Sequence, residues 1–419
     1  MQKLKRFLQS VLPRSVYRSL LVPYHLFWTW AAANKYGYPG KELVVIGVTG
    51  TKGKSSVTEM ISTILEEGGH TVASTSTIRF KIGGTSTRNL YKMTLPGHGF
   101  LQKFLRDAVD AGCTHAVVEL TSEGALQFRH HFTYMNALVF TNLEKEHIEA
   151  HGSMQKYFEA KMRIGKALER SPKRPRAIIA LESSEYGKQF LALNVEKKFP
   201  FSLDDADHLS LTPHGASFEY TGRRITLSHP GAFSALNAMA AIKAGEFFGV
   251  SIETAAKALQ NLETIPGRAE RIDEGQPFLA VVDYAHTPDS LRALYAAYPG
   301  SRKICVLGNT GGGRDTWKRP EMGEIADTEC AEVILTNEDP YDENPDEIVA
   351  AMASGMKRAP SIIMDRREAI KTALSKATDG DVVLITGKGT DPYIMGANGT
   401  KEVWSDSTVV REELQKLKR

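Results

Sequence analysis

Lys54 and Ser55 lie in the run 43–60, LVVIGVTGTKGKSSVTEM, where an apolar stretch breaks into glycines and then into helix-forming residues. A buried strand at Val44, Val45 and Ile46 that enters a glycine turn can aim several backbone N–H groups at one anion. A helix starting just after it adds its N-terminal dipole at the same spot. Lys54 then reaches the β- and γ-phosphates of a nucleotide, and the Ser55 hydroxyl is placed for Mg²⁺. Gly50, Thr51, Lys52, Gly53, Lys54, Ser55 and Ser56 are therefore the candidate ATP-binding residues. Val48 stands where the strict phosphate-loop pattern has its first glycine, so the assignment rests on strand, Gly-Lys-Ser and helix occurring in that order. An ordinary strand-to-helix turn is the plain alternative.

Glu119 closes the apolar run 115–120, HAVVEL. A carboxylate at a strand end beside a phosphate loop is a common Mg²⁺ holder, although plain surfaces carry such residues too. Beyond the run 136–141, NALVFT, comes TNLEKEHIEAHGSMQKYFEAK, which sets His147, His151, Tyr157 and Lys161 just past a strand end. By periodicity alone this segment is an amphipathic helix with a surface lysine.

Apolar runs alternating with helical stretches must position these groups, and that alternation predicts an α/β protein with mostly parallel sheets. Further strands are expected at 177–181 and, after a Pro-Gly break at 265–268, at 279–283, 303–307, 332–336, 361–364 and 381–386. Residues 203–227 predict a small antiparallel excursion and 232–248 a helix. The expected architecture is a short N-terminal helical segment (1–40), a P-loop ATPase-type central domain (41–265) and a C-terminal Rossmann-like α/β domain (266–419). Polar clusters follow nearly every strand of the last domain, as a site shared by two domains requires.

The loop GTKGKS together with TNLEKEHIEAHG and YFEAK resembles the Mur ligases, which build the peptide stem of bacterial cell-wall precursors. Leu236-Asn237-Ala238, Pro266-Gly267-Arg268-Ala269-Glu270, VDYAHTPDSL at 282–291 and GGGRDTWKRPEM at 311–322 follow in the family's order, and DYAHTPD is similar to its tripeptide-synthetase (MurE) branch. The resemblance implies that ATP phosphorylates a carboxylate of a muramoyl-peptide precursor, and that the amine of a free amino acid attacks the acyl phosphate. It implies catalytic roles for Lys54, Glu119, His147 and Lys161, with one Mg²⁺ on Ser55 and Glu119 and a second on Glu119 and His147. Lys161 matches a lysine that the family carbamylates to N6-carboxylysine, turning a cation into an anion beside the metal. By the same resemblance Asn237 meets adenine, Arg268 a phosphate, and Asp283 and His286 the nucleotide; Thr94, Pro96, Thr121 and Ser122 face the acceptor.

Three departures from the pattern matter. Only about forty residues precede the phosphate-loop strand, so the family's uridine-binding N-terminal domain is expected to be absent, which makes a lipid-linked acceptor an alternative to a UDP-linked one. Members that take diaminopimelate carry Asp-Asn-Pro-Arg, its arginine gripping the distal carboxylate through a bidentate fork; here Glu338-Asp339-Pro340-Tyr341 aligns, and Gly-Lys-Gly-Thr390-Asp391 replaces Gly-Lys-Gly-His-Glu. With Glu338, Asp339 and Asp391 facing the incoming side chain and Arg314 on its α-carboxylate, a diamino acid such as lysine or ornithine is expected. Glu123 replaces a histidine of the acceptor segment. Two other readings remain: a folylpolyglutamate-synthase-like ligase, against which Ala285-His286-Thr287-Pro288 speaks, and a partner-dependent subunit acting on a lipid-linked precursor.

A net charge of +3 over 419 residues demands no nucleic acid. Cys113, Cys305 and Cys330 have no metal-ligand spacing and cannot all pair, which fits a reducing compartment, the cytoplasm. Lys3, Lys5, Arg6, Arg14 and Arg18 precede LLVPYHLFWTWAAA, a run too short and too interrupted to span a membrane. Packing on the body is the expected placement; an interfacial helix, giving peripheral membrane contact through residues 1–35, is the other. Oligomeric state is not encoded in any of these features.

Overall fold

β1 (Val44–Thr49) is buried along nearly its whole length because strands lie on both sides of it and helices on both faces. The computed structural model describes residues 14–417, with side chains from residue 21. The first sheet runs β4-β3-β2-β5-β1-β6-β7-β8, with β2 Val72–Thr75, β3 Arg79–Ile82, β4 Thr85–Arg88, β5 His115–Glu119, β6 Ala137–Phe140, β7 Ala177–Leu181 and β8 Lys197–Phe201. From β2 to β8 neighbours are parallel, and β3 and β4 form an antiparallel extension at one edge.

Alternate residues of these strands feed two cores, as the pleat dictates. Ile46, Val48, Val117 and Val139 pack under the helices Lys54–Glu67 and Ala232–Phe247; Val45, Val118, Leu138 and Phe140 pack under Phe100–Asp110 and Met154–Glu169. Val57, Met60, Ile61, Ile64 and Leu65 of Lys54–Glu67 are all buried, each contributing about 1.5–3 kcal/mol. That burial fixes the helix whose first turn carries Lys54 and Ser55. A three-stranded antiparallel sheet, β9 (Asp207–Thr212), β10 (Gly215–Tyr220) and β11 (Arg223–Leu227), caps this core, as 203–227 predicted.

The second α/β unit holds β12-β13-β17-β14-β15-β16, from β12 Glu270–Ile272, β13 Leu279–Asp283, β14 Lys303–Leu307, β15 Glu332–Leu335, β16 Ser361–Ile362 and β17 Val382–Thr386. All neighbours are parallel except β12 with β13. A hairpin of β18 (Tyr393–Met395) and β19 (Lys401–Val403) lies outside the sheet. Most buried strands were legible as apolar runs; β2 was not, because Ser74 and Thr75 interrupt its short apolar stretch. Polar and exposed β4, the three-residue strands β12, β18 and β19, and β8 with its Pro200 were not, because edge strands have no continuous apolar signature.

Two expectations change. Cys305 and Cys330 are joined as a disulfide with Cα atoms 6.2 Å apart, because the connection after β14 brings the end of the helix Lys318–Glu329 back over that strand. Cys113 alone is free and buried. The N-terminal helix spans Arg14–Lys35 and packs as expected through Thr29 and Ala33, but it leaves Phe27, Trp28 and Trp30 exposed. Lys3, Lys5 and Arg6 lie outside the described residues, as do the side chains of Arg14 and Arg18. Among the described residues no helix is long and apolar enough to cross a membrane.

Candidate active site

The loop 50–53 turns β1 into the helix Lys54–Glu67 through two glycines with positive φ, Gly50 at 150° and Gly53 at 80°. A Cβ on Gly50 would collide with the Thr141 hydroxyl and one on Gly53 with the Asn237 side chain, so both positions need glycine for space as well as for conformation. That contact is what brings Asn237, on the helix Ala232–Phe247, to the phosphate loop. Residues after β6 lace the loop from outside. The Lys52 N–H donates to Asn142 Oδ1 at 2.8 Å, the Thr141 hydroxyl to the Lys52 carbonyl at 2.6 Å, and the Glu144 N–H to the Thr51 hydroxyl at 3.0 Å.

β5 pairs with β1 in parallel, Val48 opposite Glu119, which sets the Glu119 carboxylate beside the start of the helix. Ser55 Oγ donates to Glu119 Oε2 at 2.8 Å. The Thr77 N–H and hydroxyl also donate to this carboxylate, at 3.0 and 3.2 Å, and the Thr77 hydroxyl meets that of Thr94 at 3.0 Å. One hydrogen-bonded chain therefore joins Ser55, Glu119, Thr77 and Thr94. A serine hydroxyl and a carboxylate at the N-terminus of a helix form the hard-oxygen donor set that Mg²⁺ takes, completed by water and phosphate oxygens. Among the described residues no three His, Cys, Asp or Glu side chains converge as a metal cage, so any ion here takes part of its ligands from outside that set.

Lys54 is half-buried and Lys161 buried beside the loop. Lys54 Nζ donates to the Thr51 carbonyl at 2.8 Å and Lys161 Nζ to the Gly50 carbonyl at 2.6 Å. Burial pulls the Lys54 ammonium below its ordinary range against the opposing charges of Glu119 and Glu146. Burial, reinforced by Lys54, pulls Lys161 well below its own. Burial of this kind favours the neutral amine over the ammonium, and the neutral amine is the form that reacts with CO₂. Tyr157 is the packing centre here: its ring lies 4.7 Å from Lys161 Nζ, 5.9 Å from the His147 ring and 5.0 Å from the His151 ring, and its hydroxyl is 3.2 Å from that of Thr51. Burial pushes His147 down to about 4, so its imidazole is neutral at physiological pH.

The second α/β unit closes over the loop through a few polar contacts. His286 Nε2 lies 2.8 Å from Glu146 Oε1, while Lys52 pairs with Glu146 Oε2 at 3.0 Å. Burial acts to raise the Glu146 carboxyl, but Lys52 and His286 outweigh it and hold it well below its ordinary range. The Arg268 guanidinium stacks over Tyr284 at 4.7 Å and reaches Ser55 Oγ at 3.5 Å. The His147 N–H donates to Asp315 Oδ2 at 3.0 Å. The two oxygens of Asp283 accept the N–H groups of Ala269 and Ala285, both at 2.6 Å, which fixes the loop that carries His286.

At the amino-acid end the carboxylates are not free either. Asp339 accepts from Lys388 Nζ at 2.8 Å, from Lys92 Nζ at 2.6 Å and from the Met395 N–H at 2.8 Å. Asp391 pairs with Lys92 at 3.0 Å and lies 3.5 Å from Lys388. Burial works against the Lys92 charge, yet Asp391 and Asp339 together hold its ammonium above the ordinary range. Two lysines thus balance two aspartates, and the expected attraction of this pair for an incoming ammonium is already satisfied by Lys92, which comes from the first unit. Glu338 is different. Its Oε1 accepts from Thr310 Oγ1 at 2.7 Å, while its buried Oε2 has no partner and adjoins Gly387. Arg314 stands over the Tyr341 ring at 5.9 Å.

Among the acceptor candidates, Thr94 is tied to Glu119 and Pro96 is half-buried in the same segment. Ser122 Oγ meets His151 Nε2 at 3.0 Å; Thr121 Oγ1 accepts the Gly124 N–H at 3.1 Å as a helix cap. Ser56 is buried in the helix, and Glu123 is exposed. Sequence reasoning missed Thr77, Glu146, Lys92 and Asp315. Glu146 sat inside the segment already singled out, and Lys92 two residues before Thr94, so position was the available signal for both; Thr77 had none.

Residues 48–245 match the family model described as Mur ligase middle domain, and residues 267–389 the one described as Mur ligase, glutamate ligase domain. The chain is 34% identical over 377 residues to the UDP-N-acetylmuramoyl-L-alanyl-D-glutamate--2,6-diaminopimelate ligase of Caldanaerobacter subterraneus, a match spanning 86% of this chain and 76% of that protein. A solved structure of a ligase of the same name superposes with TM-score 0.62 at 29% identity, over 90% of this chain and 79% of the other. Folylpolyglutamate synthase of Mycobacterium tuberculosis superposes with TM-score 0.72 at 17% identity, over 87% and 93%, a likeness of fold alone.

Proposed function

The chain belongs to the Mur ligase family of ATP-dependent ligases, and on that premise we propose that it adds a diamino acid such as lysine to a muramoyl-peptide precursor of the cell wall. The observation that carries this reading is the chain Ser55, Glu119, Thr77, Thr94, which ties the magnesium-side carboxylate to the loop that resembles the family's acceptor segment. A carboxylate of the acceptor bound near Thr94 would share this chain with the loop 50–55, which would cradle the phosphoryl group to be transferred.

In this reading the loop amides, Lys54 and Arg268 face the triphosphate, Asn237 the adenine, and Ser55 and Glu119 hold Mg²⁺, whose contribution is to offset charge on the phosphoryl group. His286, held by Glu146, closes the second unit over the nucleotide and excludes water from the acyl phosphate. The amine attacks the acyl carbon and phosphate leaves. Arg314 receives the α-carboxylate of the amino acid, and Glu338, with its open oxygen, receives the distal ammonium. The burial of Lys161, which disfavours its ammonium, supports carbamylation there. Its dependence on ATP puts the reaction in the cytoplasm, and the N-terminal helix supports peripheral membrane contact.

The test is phosphate release over a matrix of amino acids crossed with UDP-linked and lipid-linked muramoyl peptides and with folates. Turnover is expected only with a muramoyl acceptor, and more strongly with L-lysine or L-ornithine than with diaminopimelate. A clear preference for diaminopimelate overturns the amino-acid assignment. Turnover with folate overturns the acceptor, and silence until a second protein is added favours the partner-dependent reading.

A further inference from the structure

The helix Arg14–Lys35 presents an unusual outer face. Thr29 and Ala33 are buried against the body, Ala32 meets the segment before Phe100–Asp110 at Gly99, and His25 lies 3.2 Å from His98. On the opposite side, where a surface helix normally carries charge, stand Phe27 at 55% exposure, Trp30 at 48% and Trp28 at 41%, with Pro23, Tyr24 and Ala31 between them in helical projection. A helix that buries one face in protein and shows aromatic rings on the other has a second apolar contact to make.

The surroundings say what kind. From Met1 to Lys41 the sequence has Lys3, Lys5, Arg6, Arg14, Arg18, Lys35 and Lys41 and no aspartate or glutamate; Glu42 is the first acid. Paired tryptophans beside an unopposed run of cations match the interface of an anionic bilayer, where indoles settle at the headgroups and the cations meet lipid phosphates. A protein partner would need an equally unopposed acidic surface. The helix is also continuous with the acceptor side of the site. His98, which Tyr24 and His25 touch, closes the segment that exposes Leu90, Tyr91 and Met93 and holds Thr94.

We propose that Phe27, Trp28 and Trp30, with the cations that the sequence carries before Glu42, dock this protein on the surface of an anionic membrane, turning the segment 90–96 toward the headgroups. The docking does not depend on the reaction proposed above. Its consequence, that an acceptor carried by a membrane lipid reaches Thr94 without leaving the bilayer, does.

Flotation of the full chain with phosphatidylglycerol–phosphatidylcholine vesicles tests the docking, alongside pure phosphatidylcholine vesicles and a Phe27→Ser/Trp28→Ser/Trp30→Ser variant. The wild type is expected to partition at least about tenfold more strongly onto the anionic vesicles, less so as salt rises, with a blue shift of tryptophan emission; the variant is expected to lose about tenfold or more. Phosphate release with a soluble acceptor reports that the variant is folded, and if it is not, Trp30→Ser with brominated-lipid quenching of the remaining tryptophans replaces it. Wild type that stays with the soluble fraction overturns the docking, as does a variant that floats like wild type. So does a lipid-free dimer that the substitutions dissociate, because a second copy would then own the face. Flotation without turnover on any muramoyl acceptor leaves the docking standing and overturns the reaction instead.

Discussion

The two ends of the cleft are built on different principles. At the nucleotide end, 50–55 and Glu119 come from adjacent parallel strands and one helix start, and each polar group is set by backbone geometry within a single sheet. At the amino-acid end, Asp339 and Asp391 of the second unit are matched by Lys92 of the first, which lies 247 residues before Asp339 in sequence. The first end has its loop and carboxylate in one unit, with Arg268 and His286 of the second unit reaching it from outside. The second exists only when the two units meet.

The sharpest way to break this contrast is at the loop. Lys54→Met and Glu119→Gln are expected to lower turnover by about 10²–10³-fold or more while leaving the fold intact, measured as kcat for phosphate release. A loss under tenfold would mean that the chemistry lies elsewhere.

Lys92→Met addresses the other end. Removing one partner of a largely buried pair costs about 3 kcal/mol and leaves Asp391 beside a single lysine. The KM for the amino acid is expected to rise about tenfold or more, with a smaller change in the KM for ATP. An equal rise in both would show that Lys92 merely holds the fold.

The smallest effect concerns the contact between Glu149 and Asp315. Burial and the hydrogen bond to Asp315 push the Glu149 carboxyl up to about 7 from 4.5, and that bond helps hold Asp315 below its ordinary range despite burial. The shared proton favours closure, so its contribution is fully present below pH 4.5 and is lost as pH rises through about 7. Glu149→Gln is expected to flatten that dependence in a pH series of thermal melts. An unchanged slope would assign it to another group.

The nucleotide end was legible because glycines, a lysine and a serine at fixed spacing leave few alternatives, and because buried parallel strands read as apolar runs. Glu119 was readable as a strand end, but Thr77, which orients it, sits on a turn before an edge strand and carries no pattern. The amino-acid end was legible only as a set of carboxylates. That Lys92 neutralises two of them and leaves Glu338 open depends on how two units close, which no local spacing encodes. The backbone hydrogen bonds of Asp283 were likewise hidden, because a motif names a carboxylate without saying which N–H groups it accepts. The aromatic run 27–30 was readable as apolar, but which side of the helix would be covered was not.

Equilibrium titration with Mg·ATP of wild type beside Lys54→Met and Lys92→Met tests the central claim most directly. Wild type and Lys92→Met are expected to bind within about twofold of each other, and Lys54→Met to bind at least about tenfold more weakly. Wild type without affinity for ATP, or Lys92→Met losing it as Lys54→Met does, would contradict a phosphate-binding core that lies in the first unit and is independent of the amino-acid end.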